Sequence, residues 1–208
     1  MDERIGLRER KKQRTREAIS NAAISLFFDN GFDQVSITQI AAAAEVSRRT
    51  LFAYFPAKED LVLHRIADHE TESGRVLRER PGAPLATLRA HFLDGLERRD
   101  PITGLNDAPE VLALYRLIMD TPTLAASLLR YRENGKQALE EALRDKENLP
   151  QLTARLAAAQ IMSVQWALSE DNYWRIAGGT SADDAYPAAR AAAEQGFDQL
   201  AGGLGGFL

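Results

Sequence analysis

Two short helical segments, each with a signalled start and only three residues between them, constrain this chain more than any other feature it has. Ser36 is followed three residues later by Gln39, which is the spacing of a capping box, and Val35 and Ile40 stand where a hydrophobic staple belongs. Ser47 opens the second segment in the same way, with Val46 and Leu51 as the staple pair. Ala44, Glu45 and Val46 are all that remains for the connection, so the two segments must form a helix-turn-helix. A longer segment precedes them, from about Arg8 to Asn30, with Ile19, Ala22, Ala23, Leu26 and Phe27 at helical spacing. Gly31 sits where a left-handed C-cap is needed, and Phe32 is placed to touch Phe27 across the helix end.

The remainder also reads as helix. Alanine, leucine, glutamate and arginine dominate, and β-branched clusters are missing apart from Val35-Ser36-Ile37-Thr38. Glycine and proline punctuate the chain into about nine segments, the later ones near 58–80, 84–99, 106–119, 122–147, 151–177 and 183–202. The expectation is an all-α protein with a three-helix helix-turn-helix domain over 1–57 and a larger helical domain over 58–208. A hydrophobic content of 45% with 27% charged residues suits a folded chain. There are no cysteines, which excludes disulfides, thiolate metal sites and cysteine nucleophiles. No apolar run has the length of a membrane span, and the charged N-terminus has no signal-peptide core behind it. The expectation is a cytoplasmic protein with no membrane partner. The glycine-rich tail Gly202-Gly203-Leu204-Gly205-Gly206 follows no strand and reads as a flexible end.

Charge is distributed unevenly. The net charge of -4 divides into +1 over residues 1–60 (ten basic, nine acidic) and -5 over the rest. Seven basic residues lie in 1–16 against three acids, a local +4. A phosphate backbone is met by a patch, not by an average, so this end is the candidate for double-stranded DNA. The second helix of a helix-turn-helix presents its N-terminal turn to base edges in the major groove. Here that turn offers Ser47, Arg48, Arg49 and Thr50. Leu51 and Phe55, four apart, face inward, which turns Arg48, Arg49 and Tyr54 outward. Two cations at a helix N-terminus oppose its dipole by roughly 0.3–1 kcal/mol each, so an anionic partner is called for.

The stretch Ala18-Ile19, Leu26-Phe27, Gly31-Phe32, Ser36 to Ala41, Val46-Ser47 and Thr50 to Leu61 resembles the N-terminal domain of the tetracycline-repressor (TetR) family of transcriptional regulators. The resemblance covers about residues 8–61. It implies a homodimer whose two recognition helices enter successive major grooves of a palindromic operator. It also implies a repressor, released from DNA when a small-molecule effector binds in the C-terminal domain. Carried over by position, it puts Arg48, Arg49 and Thr50 at bases or nearby phosphates, with Thr38, Tyr54 and Lys58 on phosphates. The basic arm, including Lys11, Lys12 and Arg14, would lie along the backbone or in the minor groove. Three positions depart from the family pattern. Glu45 replaces a frequent glycine, so the turn either carries a left-handed cost of about 1 kcal/mol or takes another shape. Phe52 replaces a frequent tyrosine and has no hydroxyl for a phosphate. Ala57 replaces the usual serine cap, at around 1 kcal/mol to the next helix.

Beyond residue 58, apolar side chains with polar ones interleaved are candidates for an effector pocket: Phe92, Leu96, Leu112, Tyr115, Met119, Leu128, Tyr131, Met162 and Trp166. An aromatic or methionine stripe at helical spacing is more often plain core, and for any single one of these residues core is the favoured reading. The family's last two helices pair with their copies across the dimer, and Trp166, Tyr173, Phe197 and Leu200 are the bulky candidates there, beside alanine-rich stretches at 155–160 and 188–193. The helix layout loosely resembles members that bind acyl-CoA or other apolar effectors. Two other classes remain open: an enzyme and a helical adaptor that binds protein. His64 and His69 are five apart and share no helical face, His91 stands alone, and each reads as a surface histidine. No serine elbow, phosphate loop or carboxylate pair is present, so neither catalytic residue, cofactor nor metal is expected. An adaptor has no need of the Arg48-Arg49 turn.

Overall fold

The computed structural model describes residues 2–67 and 69–203. The side chains of 2–5, 7–9 and 67 fall outside that description, as do Leu204, Gly205 and Gly206 of the expected flexible tail. Ten α-helices and one 3-10 turn make up the described residues, with no strand. No single helix is long and apolar enough to cross a membrane.

The chain divides into two compact units. The first comprises residues up to Arg65 together with 113–128. It contains α1 (Asp2–Asn30), α2 (Ile37–Ala43), α3 (Arg48–Tyr54) and most of α4 (Asp60–Ala67). The apolar row of α1 is sealed: Ile19, Ala23 and Phe27 are buried with Val35, Ile40, Leu51, Phe55 and Leu61. Gly31, at φ 83°, ends α1 by donating its N–H to the Phe27 carbonyl at 2.8 Å, and the Phe27 and Phe32 rings meet at 4.9 Å between centroids. Ser20, fully buried, donates its hydroxyl to the Leu61 carbonyl at 2.8 Å and so ties α4 to α1. The basic stretch before residue 16 continues α1 as helix where an arm was expected.

The second unit comprises 66–112 and residues from Leu129 onward. It holds α5 (Glu72–Glu79), α6 (Pro84–Glu97), the 3-10 turn Pro101–Thr103, and α9 (Gln151–Ala177) with α10 (Ala182–Gly202). The helices α7 (Pro109–Asp120) and α8 (Pro122–Glu147) each contribute residues to both units. Its core runs through Leu77, Leu88, Leu96, Leu139, Ala158, Ala193 and Phe197. Asn172, buried on α9, donates its amide to the Thr103 carbonyl at 2.9 Å, which docks the 3-10 turn. Gly104 permits that approach: at φ 72°, a Cβ there would lie 1.9 Å from the Ser169 carbonyl oxygen.

One expected segment is broken. The stretch 58–80 is two helices, with α4 ending at Ala67 and α5 opening at Glu72. No glycine or proline marks the break; contacts from elsewhere in the fold hold it. Asn134 donates to the Glu70 carboxylate at 2.6 Å, and a Cβ on Gly135 would come within 2.6 Å of the Glu70 carbonyl oxygen. The helix count therefore rises from about nine to ten. The fourth helix also starts at Asp60, not at Lys58; the Asp60 carboxylate accepts the Ala57 N–H at 2.9 Å, the half of a capping box that does not need the missing serine.

Candidate nucleic-acid interface

The reading helix is set by its caps. Ser36 accepts the Gln39 N–H at 3.2 Å while the Gln39 side chain accepts the Ser36 N–H at 2.8 Å, closing the capping box on α2. Ser47 accepts the Thr50 N–H at 2.9 Å at the start of α3. Between them Glu45 adopts φ 53°, the left-handed conformation that its position demands and its Cβ opposes. With Leu51 and Phe55 at 0% exposure, the opposite face of α3 is fixed outward. Arg48 and Arg49 are exposed, Thr50 and Tyr54 half-buried, and Thr38 on α2 is exposed. Among the described residues neither Arg48 nor Arg49 makes an ion pair or a hydrogen bond, so both guanidiniums are available. Lys11, Lys12 and Arg14 are exposed on α1.

Lys58 differs from its expected role. Its ammonium donates to the Phe32 carbonyl and lies 4.4 Å from the centre of the Phe32 ring and 5.5 Å from that of Phe27. Burial pulls it below its ordinary value, against the opposite pull of Asp33 and Glu59. Its charge is directed into the unit. Phe52, by contrast, is 43% exposed beside the arginines, one turn further along α3.

The model of the bacterial regulatory proteins of the tetR family matches residues 19–64, which is the stretch just described. Over 179 residues the chain is 30% identical to the HTH-type transcriptional regulator TcmR of Streptomyces glaucescens, spanning 80% of this chain and 79% of that one. The chain belongs to the TetR family. It is a helix-turn-helix transcriptional regulator. The HTH-type transcriptional repressor LfrR of Mycolicibacterium smegmatis is 32% identical over 165 residues, 78% of this chain and 79% of LfrR. Among solved structures, the SmeT–triclosan complex superposes with a TM-score of 0.56 at 16% identity, over 88% of this chain and 91% of SmeT, which shows the shared fold.

The candidate residues for effector and partner separate clearly by burial. Phe92 and Leu96 are buried in the core of the second unit, Leu112, Tyr131, Met162 and Trp166 are half-buried, and in the residues counted with the first unit Leu128 is buried, Tyr115 half-buried and Met119 exposed. Two candidates for the dimer face are corrected. Phe197 is 1% exposed with its ring 6.1 Å from that of Phe92, and Tyr173 is 6% exposed, so both belong to the subunit's own core. The bulk that α9 leaves in solvent is instead Leu152, Leu156 and Trp174. Leu200, half-buried, lines a cleft of about 360 Å³ between α9 and α10 with Ala159, Gln160, Ser163, Val164, Gln199 and Gly203.

Two groups escaped sequence reasoning. His64 is not a surface residue, being 5% exposed with its ring 5.5 Å from that of Phe55, and the half-buried His69 and His91 flank Glu72. His69 Nδ1 lies 2.6 Å from one Glu72 oxygen and His91 Nε2 lies 3.2 Å from the other. Burial pushes the Glu72 carboxyl up, but the hydrogen bonds and charge of the two imidazoles outweigh it and hold the group well below the usual carboxylate range. The second group is Arg132, stacked on Trp166 at 4.1 Å. Its signal in the sequence was a charge in the row Arg132, Gly135, Leu139, Ala142, otherwise small or apolar at helical spacing.

Proposed function

We propose that this regulator is a repressor that binds a palindromic operator as a homodimer and leaves it when a small molecule occupies its C-terminal part. Residues 1–57 would read DNA and 58–208 would bind effector and partner subunit, in the cytoplasm and without a catalytic step. The observation that carries this reading is the capped α3 with Arg48 and Arg49 exposed and unneutralised at its N-terminus. Guanidinium groups so placed suit guanine O6 and N7, Thr50 offers a hydroxyl and a methyl, and Thr38 and Tyr54 flank them for phosphate. Lys11, Lys12 and Arg14 extend the same charge along α1. The repressor LfrR, a relative in sequence, supports repression, and the triclosan-bound SmeT, a relative in fold, supports an apolar effector; an acyl-CoA-like one rests on helix layout alone.

The test is a gel-shift series over salt on a duplex selected from random sequence. Log affinity should fall steeply and linearly with log salt. Arg49→Ala should weaken the selected site by about 1–3 kcal/mol while leaving the unfolding midpoint where it was. Salt-insensitive binding, or undiminished affinity in that variant, removes α3 from the reading role.

A further inference from the structure

The row Arg132, Gly135, Leu139 and Ala142 turns toward the interior of the second unit; the last three are buried and Arg132 half-buried. A guanidinium turned inward ordinarily brings a carboxylate with it, because a donor sealed from water without an acceptor is unfavourable. Arg132 has none. Among the described residues it makes no ion pair and no hydrogen bond, and its Nε is sealed from solvent without an acceptor. Its contact is the face of Trp166, 4.1 Å from guanidinium carbon to ring centre, and the Trp166 Nε1 is sealed and unsatisfied too. Three acceptors on neighbouring segments already have donors of their own. Gln165 accepts the Ser73 hydroxyl at 3.2 Å, Glu70 accepts the Asn134 amide at 2.6 Å, and Glu72 lies between His69 and His91. One turn from Arg132, Gly135 packs tightly, its Cβ position 3.3 Å from the Met162 methyl and 2.6 Å from the Glu70 carbonyl oxygen.

Two buried donors side by side, one of them charged and neither with an acceptor, define what is missing: an anionic oxygen. We propose that Arg132 and Trp166 form the recognition point for a small organic acid, whose carboxylate or phenolate accepts from the guanidinium and the indole N–H while its apolar body lies along Met162. This rests on reading 58–208 as the effector-binding part and names the chemical class that part takes. The two unsatisfied donors are a stability cost kept for a ligand.

Phenylacetate and 4-phenylbutyrate, each against its uncharged amide, test this by calorimetry and thermal unfolding on the full chain without DNA. The chain has two tryptophans, Trp166 and Trp174, so Trp174→Phe leaves the Trp166 emission as a local reporter. At least one acid should bind tenfold or more (roughly, for a charge-assisted hydrogen bond) better than its amide, raise the unfolding midpoint and shift the Trp166 emission. Arg132→Met should abolish that preference. Acids that bind no better than their amides, or not at all, overturn the site, as does an Arg132→Met chain that keeps the preference for the acid. Operator binding, measured separately without acid, keeps the two readings apart. A chain that takes the acid through Arg132 but binds no DNA retains this site and loses the repressor reading; one that binds DNA without preferring the acid loses this site alone.

Discussion

A single ammonium shows how far residue type and spacing can be trusted. Lys58 has the position and charge of a phosphate contact, yet its Nζ donates to the Phe32 carbonyl and sits over two phenyl rings. Nothing in a linear sequence says that Phe32 will arrive there, because the partner is 26 residues away and is placed only when Gly31 ends α1. Lys58→Met should therefore cost about 1–2 kcal/mol in urea unfolding, the worth of a charged hydrogen bond with its ring contacts. The slope of log affinity against log salt should stay unchanged, since no phosphate contact is removed. A slope smaller by about one, with stability intact, would return Lys58 to the DNA. Glu45 is the opposite case. Its left-handed φ of 53° is one of the two outcomes left open for the turn, the strained one that the family's frequent glycine at this place implies.

At the level of helices, caps and punctuation carried the reading, and tertiary contacts decided what they could not. Ser36, Gln39 and Ser47 fix the starts of α2 and α3 because each cap involves atoms only three residues apart. The break between α4 and α5 depends on α8 packing against Glu70 and on a carboxylate shared across elements. Glu72 opens α5, His69 belongs to the preceding turn and His91 to α6, with Arg75 also 3.6 Å away on α5. Which face of α9 or α10 is buried was equally hidden, since both helices carry apolar residues around most of their circumference and bulk alone does not choose a side. The Glu72 cluster has a pH signature of definite sign. Its carboxyl is held below the unfolded value of about 4.3, so the unfolded chain binds more protons near that pH. The contribution is complete above pH ~4.3 and is lost as pH falls through the lower folded value. Glu72→Gln should lower stability near neutrality by about 1–3 kcal/mol, as expected for charge-assisted hydrogen bonds to a half-buried carboxylate. It should also flatten the fall of the urea midpoint below about pH 5, where the unfolded chain takes up a proton that the folded carboxylate does not. Parallel midpoint curves for variant and wild type would show that the imidazoles do not support this carboxylate.

For the molecule as a whole, reading a palindrome requires two copies of α3, because a helix of seven residues contacts only one half-site. The surface that would pair them has to be apolar, unclaimed by the subunit's own core and built on regular helix. With Phe197 and Tyr173 inside, the exposed row of α9 satisfies all three conditions: Leu152 at 64%, Leu156 at 53% and Trp174 at 56%, with Gln160, Ser163 and Ala167 between them. On α10 the exposed Ala188 and Ala191 present only methyl groups, which allows close helix approach. An apolar row of this length is unfavourable in water and ordinarily marks an interface. Leu156→Glu places a carboxylate in that row without touching the core, so the folded subunit should survive it. The sedimenting species should drop from twice 23.0 kDa to one subunit mass. Operator affinity should then fall by on the order of a hundredfold or more, since the second half-site is no longer engaged through a tethered partner. The salt slope should fall to about half, because half the phosphate contacts go with the lost subunit. A dimer of undiminished mass would move the interface off α9, and a monomer that binds the operator as tightly as wild type would remove the need for two copies altogether.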